Sequence, residues 1–167
     1  METQRIDPPA AASELDMLLA WLEYHRATLA WKCEDLSPDD LRRRSVPPST
    51  MSLLGLVRHM SEVERGWFQR GVAAEDAPPL YYSDADPDGD FDNVDTADVD
   101  EAFRTWNAQC RAADAIIAAH SLDDIDSRED RGGLTLRWIL IHMIEEYARH
   151  NGHADLIREC LDGATGD

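Results

Sequence analysis

Four residues able to bind a metal recur at helical spacing near the C-terminus, as His142-x3-Glu146-x3-His150-x2-His153. Residues three or four apart on a helix are neighbours, roughly 5 to 6 Å between Cβ atoms, so a carboxylate and an imidazole at i and i+4 can close on one ion. Such nitrogen and oxygen donors suit zinc and related divalent metals, and a catalytic zinc site uses three protein ligands while leaving one coordination position open. The third ligand has to come from another helix.

The surrounding apolar pattern gives the stripe its direction. At about 100° per residue from Leu136, Glu146 falls at about 280°, His150 at about 320°, Met143 at about 340° and Tyr147 at about 20°. Glu146 and His150 therefore face inward, whereas His142 at about 240° and His153 at about 260° lie at the edge of the apolar face. Upstream, with Leu56 at zero, His59 falls at about 300° and borders the apolar side of its own helix. His59, Glu146 and His150 are thus the candidate metal ligands. An unpaired carboxylate in a core is costly, and a metal is one of the few partners that stabilise it. The competing reading makes His59 a hydrogen-bonded histidine at the core edge and pairs Glu146 with Arg149 or Arg137. His153 can join the ligands or hydrogen-bond to one of them; His153 and Glu145 are the candidate proton carriers.

The elements that must position these residues are helical. Ser13 is placed to cap a first long helix with Leu15, Leu18, Leu22, His25 and Leu29 on one face, ending near Cys33. Ser37-Pro38 predicts a short helical turn over 39–44, with Arg42, Arg43 and Arg44 as a solvated face. Thr50 or Ser52 caps a second long helix carrying Leu53, Leu56, Met60, Val63 and Trp67, with Gly71 as its stop. Residues 73–95, rich in Pro, Asp and Gly, read as a long acidic loop. Thr96 then opens a third helix along Val99, Phe103, Trp106, Cys110, Ala113 and Ile117. After a polar connection from Ser121 to Gly133, Thr135 caps a fourth, with Leu136, Leu140, Met143, Tyr147, Ala154 and Ile157 inside. Four long helices and no convincing strand predict an all-α four-helix bundle, one domain over residues 1–167 with a flexible lead-in over 1–12 and the acidic loop between the second and third long helices.

Charge and cysteine usage narrow the function classes. Sixteen Lys and Arg face 34 Asp and Glu, a net charge of -18, a field that repels phosphate backbones and anionic lipid and so excludes nucleic acid and membranes as partners. Cys33, Cys110 and Cys160 are widely spaced, with no CxxC pair, which reads as a reducing compartment and structural or incidental roles. Without a signal sequence or a membrane-spanning apolar run, the expected location is the cytoplasm.

Leu56-Val57-Arg58-His59-Met60 with Glu62 and Trp67, and His142-Met143-Ile144-Glu145-Glu146-Tyr147-Ala148-Arg149-His150-Asn151-Gly152-His153, resemble the two signature regions of the DinB/YfiT-like metalloenzyme superfamily. The resemblance implies a divalent metal, zinc first and nickel or another as alternatives, held by the histidine of the second helix and the i,i+4 pair of the last. Many members place two histidines at that pair; the mycothiol-dependent maleylpyruvate isomerases use Glu-x3-His, the form of Glu146 and His150. The implied activity is thiol S-transfer or thiol-assisted isomerisation on a small electrophile, with mycothiol as cosubstrate and a homodimer as the assembly. The chemistry is direct, because a bound Zn²⁺ deprotonates a coordinating thiol. Two rivals remain open: hydrolysis by metal-bound water, with Glu145 or His153 moving the proton, and a non-catalytic, metal-stabilised bundle that binds a ligand or partner.

Other features have plainer readings. Asp84-x-Asp86-x-Asp88-Gly89-x5-Asp95 copies much of an EF-hand calcium loop, but Pro87 interrupts it, Asp95 replaces the usual bidentate Glu, and Ala77-Pro78-Pro79 cannot be an entering helix. A solvated acidic loop is the favoured reading. Trp21, Trp31, Trp67, Trp106 and Trp138 are explained by packing, His25 by a satisfied core position, and Tyr81-Tyr82 are candidates for a lid over the site.

Overall fold

The computed structural model describes residues 4–127 and 132–166. Among the described residues six α-helices follow one another: α1 Glu14–Cys33, α2 Pro38–Arg42, α3 Leu53–Glu64, α4 Gly89–Asp92, α5 Val99–Ala118 and α6 Leu136–Asp162. Between α3 and α4, a π-helical segment, Arg65–Val72, continues α3. Among the described residues there is no strand, only isolated bridges between Ser83 and Asp86 and between Ile125 and Thr135. No helix among them is long and apolar enough to cross a membrane.

Caps chosen by chemistry start the helices. Ser13 accepts the Asp16 N–H and Ser37 the Asp40 N–H, with Pro38 at the first helical position, where its missing donor costs nothing. Ser52, rather than Thr50, caps α3 by accepting the Gly55 N–H. Thr135 accepts the Trp138 N–H and starts α6 as expected. The expected Thr96 cap gives way to Asp98, which accepts the Glu101 N–H; a carboxylate also complements the positive end of the helix dipole. The short turn covers Pro38–Arg42 rather than 39–44. Helix continues past Gly71 to Val72, because the π pattern carries the Ala73 N–H back to the Phe68 carbonyl. Residues 128–131 of the polar connection lie outside the described residues.

α6 packs along α1 and α3, and α3 packs on α5. Leu53, Leu54, Leu56, Met60, Phe68, Leu140, Met143 and Tyr147 are fully buried between them. A polar network lies inside this core. The Arg26 guanidinium of α1 grips Glu64 of α3 with two bonds of 2.8 and 2.9 Å, and its third nitrogen reaches Asp114 of α5 at 2.7 Å. The Tyr147 hydroxyl of α6 donates to the same Glu64 at 2.8 Å and accepts from Trp106 Nε1 of α5 at 2.9 Å. A buried carboxylate is tolerable here because a bidentate guanidinium and a phenol satisfy it.

Residues 73–95 are more ordered than a solvated loop. They include α4, bury Ala77, Gly89, Asp90 and Val94 with neighbouring residues, and are tied down by arginines. Arg58 of α3 donates to the carbonyls of Asp90 and Gly89 at 3.0 and 2.9 Å. Arg44 donates to Asp95 Oδ1 at 2.6 Å and to the Asp92 carbonyl at 3.0 Å, and Arg42 holds the Ala97 carbonyl. The triplet Arg42 to Arg44 is therefore not simply a solvated face: Arg44 latches the acidic segment and Arg42 the Ala97 carbonyl just beyond it.

Candidate metal centre

His59 projects from α3 and Glu146 and His150 from α6, and one ligand atom from each lies within 4.8 Å of the others. Glu146 sits between two imidazoles, its Oε2 3.5 Å from His150 Nε2 and its Oε1 3.5 Å from His142 Nε2. The alternative pairings are not formed. Arg149 binds Glu145, and Arg137 binds Glu14 and Asp123. Two imidazoles and a carboxylate converging without an arginine between them form a donor set that fits a divalent metal.

His59 is aimed by a residue the sequence reading did not single out. Its Nδ1 lies 2.8 Å from Asp90 Oδ2, and its ring stacks on Phe91 with centroids 4.7 Å apart. A carboxylate accepts only, so the imidazole proton resides on Nδ1 and the Nε2 lone pair is free to bind a metal. Asp90 is itself held: its Oδ1 accepts the Phe91 N–H, and Arg58 grips its carbonyl. The neighbouring Gly89 allows the approach, since a Cβ there would collide with the Tyr81 carbonyl oxygen.

His150 is 8% exposed, and burial, followed by the neighbouring His59 and His153, pushes its pKa down to about 4. It is neutral at neutral pH, the state a ligand requires. Its Nδ1 lies 3.4 Å from His153 Nδ1. A metal held on Nε2 would leave the His150 proton on Nδ1, where His153 could accept it. His153 thus lies against His150, one of the three candidate ligands. His142 stacks on Trp138 at 5.1 Å and meets Trp67 edge-on at 4.6 Å. Its Nδ1 lies 3.3 Å from Glu145 Oε2, so His142, Glu145 and Glu146 form a second group of closely spaced donors. Glu145 is paired outward with Arg149.

A cavity of about 460 Å³ opens beside His59, with Tyr82 in its wall, so one of the two lid candidates reaches the site. Tyr81 instead hydrogen-bonds Glu101. The calcium pattern is spent elsewhere: Asp86 accepts from Asn93, Asp95 from Arg44, and no helix precedes Asp84 in the position of an entering helix. Of the thiols, burial pushes Cys33 up to about 12, and burial with Glu64 raises Cys110 further. Neither is poised as a nucleophile. His25 is turned toward Asn151, which donates to its carbonyl at 3.0 Å, and burial lowers its pKa. Trp67 and Trp106 are buried as packing predicts, but Trp21 and Trp138 are about two-fifths exposed, at 41% and 42%.

No curated protein matches the chain. The mycothiol-S-transferase family model, by contrast, matches residues 17–163, nearly the whole length and both helices that carry the candidate ligands. With its helical architecture and the convergence of His59, Glu146 and His150, the chain belongs to the mycothiol-S-transferase family, a DinB/YfiT-like family.

Proposed function

We propose that this protein is a metal-dependent thiol S-transferase that joins a low-molecular-weight thiol of the mycothiol type to a small electrophile. The observation that carries the reading is the approach of His59, Glu146 and His150 to within 4.8 Å, in a chain of this family. A divalent metal held there, zinc being the first choice, would lower the pKa of a coordinating thiol and supply a nucleophile at neutral pH. On this reading the chain is a single domain, a four-helix bundle with the acidic segment folded across the metal-bearing end.

The protein's own residues do the rest. Asp90 keeps the His59 proton on Nδ1 and Phe91 fixes the ring plane, so His59 presents Nε2 without reorganisation. Burial keeps His150 neutral, and His153 holds its tautomer from Nδ1. His153, half-buried at the edge of the site, is the group placed to pass the thiol proton to solvent. Glu145, engaged by Arg149 and His142, orients His142 instead. The raised thiols of Cys33 and Cys110 leave the nucleophile to the cosubstrate.

The test is metal content by mass spectrometry in the wild type, Glu146→Ala and His150→Ala, followed by thiol consumption with monochlorobimane in the metal-loaded and chelated protein. Loss of metal in both variants and metal-dependent, thiol-dependent conjugation are expected. Equal metal in all three proteins overturns the site; turnover without any thiol assigns the site to hydrolysis instead.

A further inference from the structure

Where α1 faces α5 its side chains are small, and Ala27 and Ala30 look across a cavity of about 690 Å³ at Phe103 and Trp106. α1 packs on α6 and α5 on α3, but α1 and α5 do not close on each other. A second cavity of about 430 Å³, walled by Leu15, Leu19 and Ile117, continues the open seam toward the start of α1. Phe103 is half-buried, with Trp106 edge-on beside it at 6.3 Å. Cavities of this size between helices, with apolar walls and a few polar groups, are typical of small-molecule sites. His59, Glu146 and His150 line neither cavity, so the seam is separate from the candidate metal centre.

The two cavities meet at an acidic waist, where Glu23 and Arg26 line both. Three carboxylates share the Arg26 guanidinium: Glu64 at 2.8 and 2.9 Å, Asp114 at 2.7 Å and Glu23 at 3.7 Å. One positive charge among three negative ones leaves the waist with negative charge in excess. Glu64 is buried and held by both Arg26 and Tyr147, whereas Glu23 and Asp114 are exposed and within reach of a ligand. A cation entering the seam meets that excess beside apolar surface, where water screens it less than in bulk. An anion is repelled by the waist and by the net charge of -18, and the same field opposes a second copy of this chain as the occupant.

We propose that the seam between α1 and α5 is a binding site for a small organic cation with an apolar, aromatic body. The charged group sits against Glu23 and Asp114, and the body lies between Ala30 and Phe103.

The experiment is isothermal titration of the protein with three probes that share one body and differ in charge: 4-phenylbutylamine, 4-phenylbutanol and 4-phenylbutyrate. The amine is expected to bind tightest and the acid weakest, about tenfold apart. Glu23→Gln is expected to narrow the ratio of their Kd values about threefold, while Asp39→Asn, a remote and exposed control for overall charge, leaves it unchanged. Ala30→Trp, which fills the larger cavity, is expected to abolish binding of the amine. Phe103→Ala serves where that variant does not fold, and should weaken the amine and the alcohol alike by about threefold to tenfold. No binding of the amine, a ratio that Glu23→Gln leaves unchanged or that Asp39→Asn narrows equally, or amine binding that survives both Ala30→Trp and Phe103→Ala overturns the assignment. A wild-type dimer in sedimentation that Ala30→Trp dissociates gives the seam to a second copy and overturns it as well.

Discussion

Asp90 Oδ2 and His59 Nδ1 are 2.8 Å apart, joining a carboxylate of the acidic segment to a ring on α3. Through this contact a connection between helices becomes part of the candidate metal centre. Carboxylates that orient a ligating histidine are typically worth about tenfold to a hundredfold in metal affinity. Asp90→Ala is expected to weaken zinc binding by that factor while α3 and α6 stay folded, and Asp90→Asn, which keeps an acceptor, by less. Competition with a chromogenic chelator measures both; an unchanged affinity for Asp90→Ala removes Asp90 from the site.

The pH dependence of the metal-free protein follows from His150. Burial, with His59 and His153, lowers its pKa from 6.5 to about 4. Because the unfolded chain takes up that proton at a higher pH than the folded one, its contribution to stability is intact above about 6.5 and is lost as the pH falls toward 4. Urea midpoints recorded across this window should decline for the wild type and flatten for His150→Gln. A slope identical in both proteins contradicts the assignment.

The buried network makes a prediction about the fold rather than the site. Removing one partner of a buried ion pair costs about 3 to 5 kcal/mol, so Glu64→Ala, which strands the Arg26 guanidinium, should lower unfolding free energy by that amount. Tyr147→Phe removes a donor to Glu64 and the acceptor of Trp106 Nε1 and should cost about 1 to 3 kcal/mol. The two effects are expected to add up to more than the double variant loses, since both act on one carboxylate.

Thiol titration with Ellman's reagent provides a fourth check. Cys160 is exposed, whereas Cys33 is buried and Cys110 is held near Glu64 and Tyr147 with a raised pKa. One fast-reacting thiol per native chain is expected, rising to three in denaturant. Rapid native labelling of Cys110 would instead make it available for chemistry.

The convergence of the candidate ligands was legible in the sequence because helical phase is arithmetic: Leu136, Met143 and Tyr147 fix the inside of α6, and Glu146 and His150 follow. His59 emerged in the same way from Leu56 and Val63. Asp90 did not, since one inward carboxylate cannot be told from its acidic neighbours until Arg58, Arg42 and Arg44 fix the course of the backbone. Arg26 and Glu64 were hidden for a related reason: charged residues score as surface, and only the bidentate pairing across α1 and α3 makes their burial tolerable. The π-helical course of Arg65–Val72 left no mark in the apolar pattern, which carried Trp67 along as if in ordinary helix.

The bond from Tyr147 to Glu64 has a reach beyond its energy. Tyr147 directly follows Glu146 and stands three residues before His150, and Glu64 is five residues beyond His59. The bond therefore indexes the azimuth of α6 against α3, as a key in a shaft fixes two wheels. A substitution in the buried core that touches none of the three candidate ligands would then shift His59 against Glu146 and His150.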